Sequence, residues 1–183
     1  MKYRIKLSQL VTLILLAIAK PCSWRLFAAG MTLAAVGECL RVWSSGNLYK
    51  DKTLAVSGPY KMTRNPLYAG SFLMALGFSL ICLNPAYPAR SAALVLAVLL
   101  GFKFIYNLQV AAEETHLLDI FGQQYADYKN SVPRYVPALS AFGAALSSDR
   151  FTLARMLYNR EQMTILGLAT VAAIVAAKLH YGW

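Results

Sequence analysis

The sequence predicts an all-α protein, a polytopic membrane helix bundle of about five transmembrane helices with its N-terminus in the cytoplasm. Three observations carry this. The 183 residues are 58% hydrophobic with a mean hydropathy of +0.47, above the roughly half-apolar composition of soluble domains. Five apolar segments meet or approach the ~20 residues that a bilayer core requires. Cations crowd alternate connecting segments rather than spreading along the chain.

The segments run 7–19, 26–42, 67–83, 92–112 and 163–179. The first is the shortest. Lys20-Pro21 follows it in place of a small-residue cleavage site, so it reads as a helix of the mature protein. The second ends at Arg41-Val42-Trp43, with Trp at an interface, and Ser44 to Asn47 stops it. The third opens at Asn65-Pro66, where Asn suits the N-cap and proline the first turn. The fourth ends at the adjacent carboxylates Glu113 and Glu114. Small residues recur every fourth position at Ser71, Ala75 and Ser79 and at Ala169, Ala173 and Ala177, stripes that allow close helix packing.

Alternating five spans puts thirteen Lys and Arg on one side and four on the other, with Lys103 inside a span. The positive-inside rule then places the N-terminus and both long polar stretches, 44–66 and 118–160, in the cytoplasm. This accounts for the whole +10 charge, so the partner is the lipid bilayer and not nucleic acid. Cys22, Cys39 and Cys82 have no paired spacing, which excludes a zinc or disulfide framework and leaves buried free thiols. The chain reads as a single membrane domain over 1–183. Nothing in it specifies an oligomeric state.

Chemistry concentrates in three clusters. GPYKMTRNPLYAG, 58–70, sets Arg64, Tyr60 and Tyr68 at a helix N-terminus, whose free N–H groups attract anions. Its plain alternative is a helix start with interfacial anchors. VAAEETHLLDIFGQQYADY, 110–128, carries the paired glutamates. At 100° per residue Lys103, Asn107 and Glu114 share one stripe, while Glu113 points near the face of Tyr106. The alternative is a snorkelling lysine and solvated carboxylates. YADYKNSVPRYVP, 125–137, offers Tyr125, Tyr128, Arg134 and Tyr135, or simply rings and cations among headgroups. Glu38 and Arg41, one turn apart, read as an ion pair.

Taken in order, G-P-Y, R-x-P-x-Y-x-G, E-E-x-x-L, F-G-x-x-Y-x-x-Y and V-P-R-x-x-P resemble the isoprenylcysteine carboxyl methyltransferase and phospholipid methyltransferase superfamily of integral membrane enzymes. The resemblance covers residues 41–137, about half the chain. It implies S-adenosylmethionine as cofactor, bound by Tyr60, Arg64, Asn65, Pro66, Tyr68, Gly70, Glu113, Glu114, Leu117, Tyr125 and Tyr128 at the cytoplasmic face of a multi-pass protein of the plasma (inner) membrane. Arg64 suits the donor's carboxylate, Glu113 or Glu114 its ammonium, and tyrosines its adenine or sulfonium. The family's commoner R-H-P reads R-N-P here, and Asn65 cannot titrate near neutral pH. The chain contains no G-x-G, so a Rossmann-type turn is not expected.

The implied acceptor is lipophilic or membrane-embedded, isoprenylcysteine carboxylate-like or phospholipid-like. It would be met by the second span, the Arg134 loop and the last span. For a carboxylate acceptor Arg134 is the orienting cation; for an amine Glu113 or Glu114 is the base. Two other readings stand beside this one. One is a sterol-type reductase using NADPH, with Lys61 and Arg64 taking its 2′-phosphate. The other is a non-catalytic membrane protein. No metal site is expected.

Overall fold

The computed structural model describes residues 16–50 and 52–182, and among them every regular element is helical. The expected first span falls mostly outside the described residues, as do the N-terminal cations. Its end, Leu16–Ile18, is helical, and Lys178 caps it by donating to the carbonyls of Leu16 (2.7 Å), Ala17 (3.2 Å) and Ala19 (2.9 Å).

Helix α1 spans Trp24–Asn47, α2 Pro66–Ile81, α3 Pro88–Gly101 and α4 Asn107–Phe121. A π-helical turn, Phe102–Tyr106, joins α3 to α4. Short helices α5 (Gln123–Ser131), α6 (Phe142–Ser147) and α7 (Leu153–Tyr158) lead to α8, Glu161–Tyr181. Among the described residues three stretches are long and apolar enough to cross a membrane: Trp24–Asn47, Pro88–Phe121 and Glu161–Tyr181. Pro66–Ile81 is apolar but has only 16 residues.

α1 and α2 form the tightest pair, and glycines explain it. A Cβ on Gly30 would lie 2.4 Å from the Gly77 carbonyl, and one on Gly37 would lie 2.5 Å from that of Gly70. The pairing of 30 with 77 and 37 with 70 makes the helices antiparallel, with glycines seven residues apart facing each other. The expected Ser71–Ala75–Ser79 stripe is therefore not the closest seam. Ser79 is buried and bonds its own helix, and Ser71 accepts from Arg41. Ala169 and Ala173 face outward on α8.

α1 stops at the expected Ser44–Asn47 stretch, but it runs unbroken through Trp43. Arg41 is therefore a helix residue and not a loop cation. Its Nε and Nη2 grip Glu161 of α8 at 2.7 and 3.1 Å, and Nη1 reaches Ser71 of α2 at 2.5 Å. The expected Glu38 partner is looser, at 3.9 Å. Glu161 wins because it offers two oxygens to the planar guanidinium. Only one of the expected buried thiols is buried: Cys82 is, while Cys22 and Cys39 are exposed.

Candidate active site

The chain from Tyr60 to Tyr68 forms the rigid wall of the site. Gly58 has φ +59°, a left-handed conformation suited to glycine, and starts a 3-10 turn, Gly58–Lys61. Pro59, Thr63 and Pro66 are fully buried. The stretch then lies alongside the segment after α5. Arg64 N donates to Pro133 O (2.9 Å), Ala138 N donates to Met62 O (2.8 Å), and the Thr63 hydroxyl donates to Arg134 O (3.1 Å). Asn65 is the N-cap residue of α2, but its side chain does not cap. Its Nδ2 donates to Arg134 O at 3.0 Å. The sequence-level role of Asn65 is thus replaced by a tether between two loops. The free N–H groups of α2 remain uncapped by that side chain.

Above this wall α4 delivers its carboxylates. Glu114 is buried, and three cations surround it: Arg64 Nη2 at 3.0 Å, Arg134 Nε at 3.3 Å and Lys129 Nζ at 3.7 Å. Arg64 also donates through Nη1 to the carbonyls of Lys129 and Val132. Its Nε is buried and has no hydrogen-bond partner among the described residues. Glu113 accepts from the Tyr68 hydroxyl at 2.9 Å, and Tyr68 meets Tyr106 edge-on at 5.1 Å between ring centroids. The expected placement of Glu113 near Tyr106 is thereby explained.

Burial and the nearby negative charge of Glu114 push the Tyr125 hydroxyl up to about 12. Burial also raises Tyr60 and Tyr128 well above the ordinary phenol range. All three stay neutral at physiological pH, as donors and not as bases. Tyr128 donates to Tyr60 O at 2.7 Å.

These groups line a cavity of about 250 Å³. Tyr60, Arg64, Asn65, Pro66, Tyr68, Glu113, Glu114, Leu117, Tyr125 and Tyr128 all reach it. Gly70 does not; its role in the fold is the close approach to Gly37. Arg134 lies behind Glu114 and not on the lining, its guanidinium 5.2 Å from the Tyr135 ring centroid. Lys61 is exposed and off the lining, so of the two cations expected to take a 2′-phosphate only Arg64 reaches the cavity, where Arg41 and Lys50 also lie. The sequence reading missed Lys50, Thr53, Leu54 and Ala55 as lining residues, and likewise His116 and Phe121. The 48–55 segment carries no motif. His116 and Phe121 follow Glu113 and Glu114 on the helix at offsets of three and seven, a helical spacing that could have found them.

A second cavity, about 430 Å³, adjoins the first at Tyr68. It is lined mostly by apolar and aromatic groups, among them Leu40, Phe72, Leu73, Phe102 and Tyr106, with Lys103, Asn107 and Tyr135 as its polar members. The π turn widens the helix here. Tyr106 stacks on Phe102 at 4.1 Å, and Asn107 accepts the Tyr135 hydroxyl at 2.5 Å. Leu40 of α1 and Tyr135, Val136 and Pro137 of the Arg134 loop line it together with residues of α2 and the π turn.

A family model described as phospholipid methyltransferase matches residues 25–124. Similar curated proteins include the protein-S-isoprenylcysteine O-methyltransferase of Rattus norvegicus, 30% identical over 139 residues, or 69% of this chain and 46% of that protein. The protein of the same name from Saccharomyces cerevisiae is 33% identical over 87 residues, 48% of this chain and 34% of its own. The cobalt-zinc-cadmium resistance protein CzcN of Cupriavidus metallidurans is 32% identical over 117 residues, 62% of this chain and 48% of its own. The chain spans about half the length of the curated relatives it matches, and the family match takes in α1, the Arg64 wall, α2, the long helix and the paired glutamates. On that match the chain belongs to the phospholipid methyltransferase family.

Proposed function

We propose that the protein is an integral membrane methyltransferase. It draws S-adenosylmethionine from the cytoplasm into the Arg64–Glu113 cavity and a lipophilic acceptor from the bilayer into the apolar one. The observation that carries this is the meeting at one residue, Tyr68, of a cavity lined by charged groups of both signs and a cavity lined mostly by apolar and aromatic side chains.

The residues present fit the donor. Arg64 Nε, buried and without a partner, is a ready group for a carboxylate, together with the first N–H groups of α2. Glu113 faces the cavity with the Tyr68 hydroxyl as its hydrogen-bond donor, and it suits the donor's ammonium. Glu114 is already surrounded by three cations, so its part is to hold Arg64 and Arg134 in place. Tyr60, Tyr125 and Tyr128 offer aromatic faces for the sulfonium or the adenine. When bound, S-adenosylmethionine supplies a methyl group on a sulfonium, a leaving group that takes the C–S electron pair and needs no proton. The chain's task is then to align the acceptor and exclude water.

Arg134, on the loop whose Tyr135, Val136 and Pro137 line the apolar cavity, orients an acceptor carboxylate, the case of an isoprenylcysteine-like acceptor. An amine acceptor, as in a phospholipid headgroup, would need Glu113 as base. The bundle is proposed to have five spans, with the N-terminus and both long polar stretches cytoplasmic, in the plasma membrane.

Calorimetric titration of the detergent-purified protein with S-adenosylhomocysteine, with NADPH in parallel, tests the proposal. Saturable micromolar binding of the homocysteine compound alone is expected. Binding of NADPH alone moves the protein to the reductases. Binding of neither by a folded protein leaves a non-catalytic membrane protein.

A further inference from the structure

At the mouth of the donor cavity the chain builds a second, outward-facing surface. Residues 149–159 dock on the end of α1 through polar contacts. Thr152 N donates to Gly46 O at 3.0 Å, and Asn47 Nδ2 donates to Asp149 at 2.7 Å. Asn159 Nδ2 donates to Ser45 O at 2.9 Å and to Leu48 O at 3.0 Å. Leu48 and Lys50 line the donor cavity, so this surface is tied directly to the cavity wall.

The surface has two features that need an explanation together. Lys52 Nζ sits 4.6 Å from the Tyr49 ring centroid and 2.9 Å from its hydroxyl, and Arg155 Cζ sits 5.7 Å from the same ring. Two cations thus converge on one exposed tyrosine. Among the described residues neither has a carboxylate partner. Asp149, the one acid between positions 149 and 160, is engaged by Asn47 and by Phe151 N. Beside this pair stand exposed apolar side chains: Phe151, Leu153, Leu157 and Tyr158, the last 71% exposed. Leu153 and Leu157 are one turn apart and share a face of α7. Such a face in contact with cations is the pattern of a helix lying in the bilayer interface over anionic lipid.

We propose that Lys52, Arg155 and Tyr49 bind the headgroup of an anionic phospholipid, with Leu153 and Leu157 against its acyl chains. The charge convergence favours an anion, and the adjoining apolar face favours one that carries a hydrocarbon body over a free anion. This site is separate from the acceptor cavity and does not depend on methyl transfer. Its occupancy steadies the donor cavity's wall at Leu48 and Lys50.

The full chain in mixed micelles is titrated with phosphatidylglycerol, with phosphatidylcholine and with inorganic phosphate, and retained lipid is read by native mass spectrometry. Phosphatidylglycerol is expected to be retained over phosphatidylcholine, and Lys52→Gln and Arg155→Gln each lower that preference about fivefold. Leu153→Gln with Leu157→Gln weakens both lipids and leaves the preference. Inorganic phosphate at tens of millimolar does not compete. An unchanged preference in the Lys52→Gln/Arg155→Gln protein overturns the proposal, as does equal competition by phosphate, which would make this a free-anion site. Thermal unfolding establishes that each variant is folded; should the double variant not fold, Lys52→Gln alone decides, since Lys52 is exposed.

Discussion

Glu113 and Glu114 are adjacent, yet the structure assigns them different work, and one pair of variants separates the two. In Glu114→Gln the amide keeps the shape and can still accept from Arg64, but the charge-assisted bond becomes a neutral one. Hydrogen bonds to charged groups contribute about 1.5–3 kcal/mol and neutral ones about 1 kcal/mol. Arg64's side chain is 10% exposed, so its loss is nearly unscreened. Arg134 and Lys129, at 35% and 45%, return to solvent at little cost. The net expectation is about 1–2 kcal/mol of stability, or roughly 2–8 °C in Tm for a chain of this size. Glu113 has no cation partner among the described residues and accepts from Tyr68 at the cavity surface. Glu113→Gln should therefore shift Tm by no more than about 2 °C but weaken S-adenosylhomocysteine at least about tenfold, the 1.4 kcal/mol of one lost charge-assisted contact. Differential scanning fluorimetry and calorimetric titration on the same preparations give both numbers. If Glu113→Gln melts the protein while binding stays at the wild-type value, the division of roles is refuted.

Arg64→Ala removes the buried Nε and leaves Glu114 only its two more exposed cations, Arg134 and Lys129, so donor affinity should fall by at least about tenfold with a loss of thermal stability, both read by the same two methods. Gly37→Ala places a methyl 2.5 Å from the Gly70 carbonyl and 3.0 Å from Leu73 Cβ; α1 and α2 must part, at a cost of about 1–3 kcal/mol measured as a lower Tm in detergent. Lys103→Met leaves donor affinity unchanged, because Lys103 lines only the apolar cavity, but raises KM for an anionic acceptor more than it lowers kcat. Tyr125's raised hydroxyl pKa stabilises the fold fully below the unfolded phenol value near 10, and that contribution is lost as pH rises through about 12. Wild type should therefore destabilise relative to Tyr125→Phe over pH 10–12, which alkaline unfolding curves would detect.

The residues of the candidate site were largely readable in the sequence, because each cluster announces itself through rigid punctuation: proline at 59 and 66, paired carboxylates at the end of an apolar run, prolines flanking Arg134. What could not be read was who pairs with whom. Arg64 and Glu114 are 50 residues apart, and local chemistry gave each a separate ligand when in fact they hold each other. The same limit hid Arg41, whose visible neighbour is Glu38 but whose closer partner lies 120 residues on. Asn65 was legible as the start of a helix, but its side chain serves a loop 69 residues away. The seam of α1 with α2 was missed because a fourfold stripe of small residues looked complete, while the contact uses glycines seven apart.

The position of Tyr68 adds a constraint on how the two cavities work together. Its hydroxyl donates to Glu113 on the donor side, and its ring meets Tyr106 on the acceptor side. Tyr106 in turn stacks on Phe102 across the π turn. A π turn holds one residue more than an α-helical turn, and relaxing it would rotate everything beyond it by about 100°. Glu113 and Glu114 lie beyond it. The turn that opens space for a lipophilic body therefore also sets the phase at which the carboxylates face the donor. Deleting Ala111, in the regular helix between the π turn and the carboxylates, should remove donor binding even though every donor-contacting residue remains, whereas deleting one residue from Phe102–Tyr106 turns the π turn into an α turn, keeps the phase of Glu113 and Glu114, and should retain it. Loss of S-adenosylhomocysteine affinity in the first protein, with helicity preserved by circular dichroism, is the expected outcome. Retained affinity there would mean that the phase of the carboxylates does not govern donor binding.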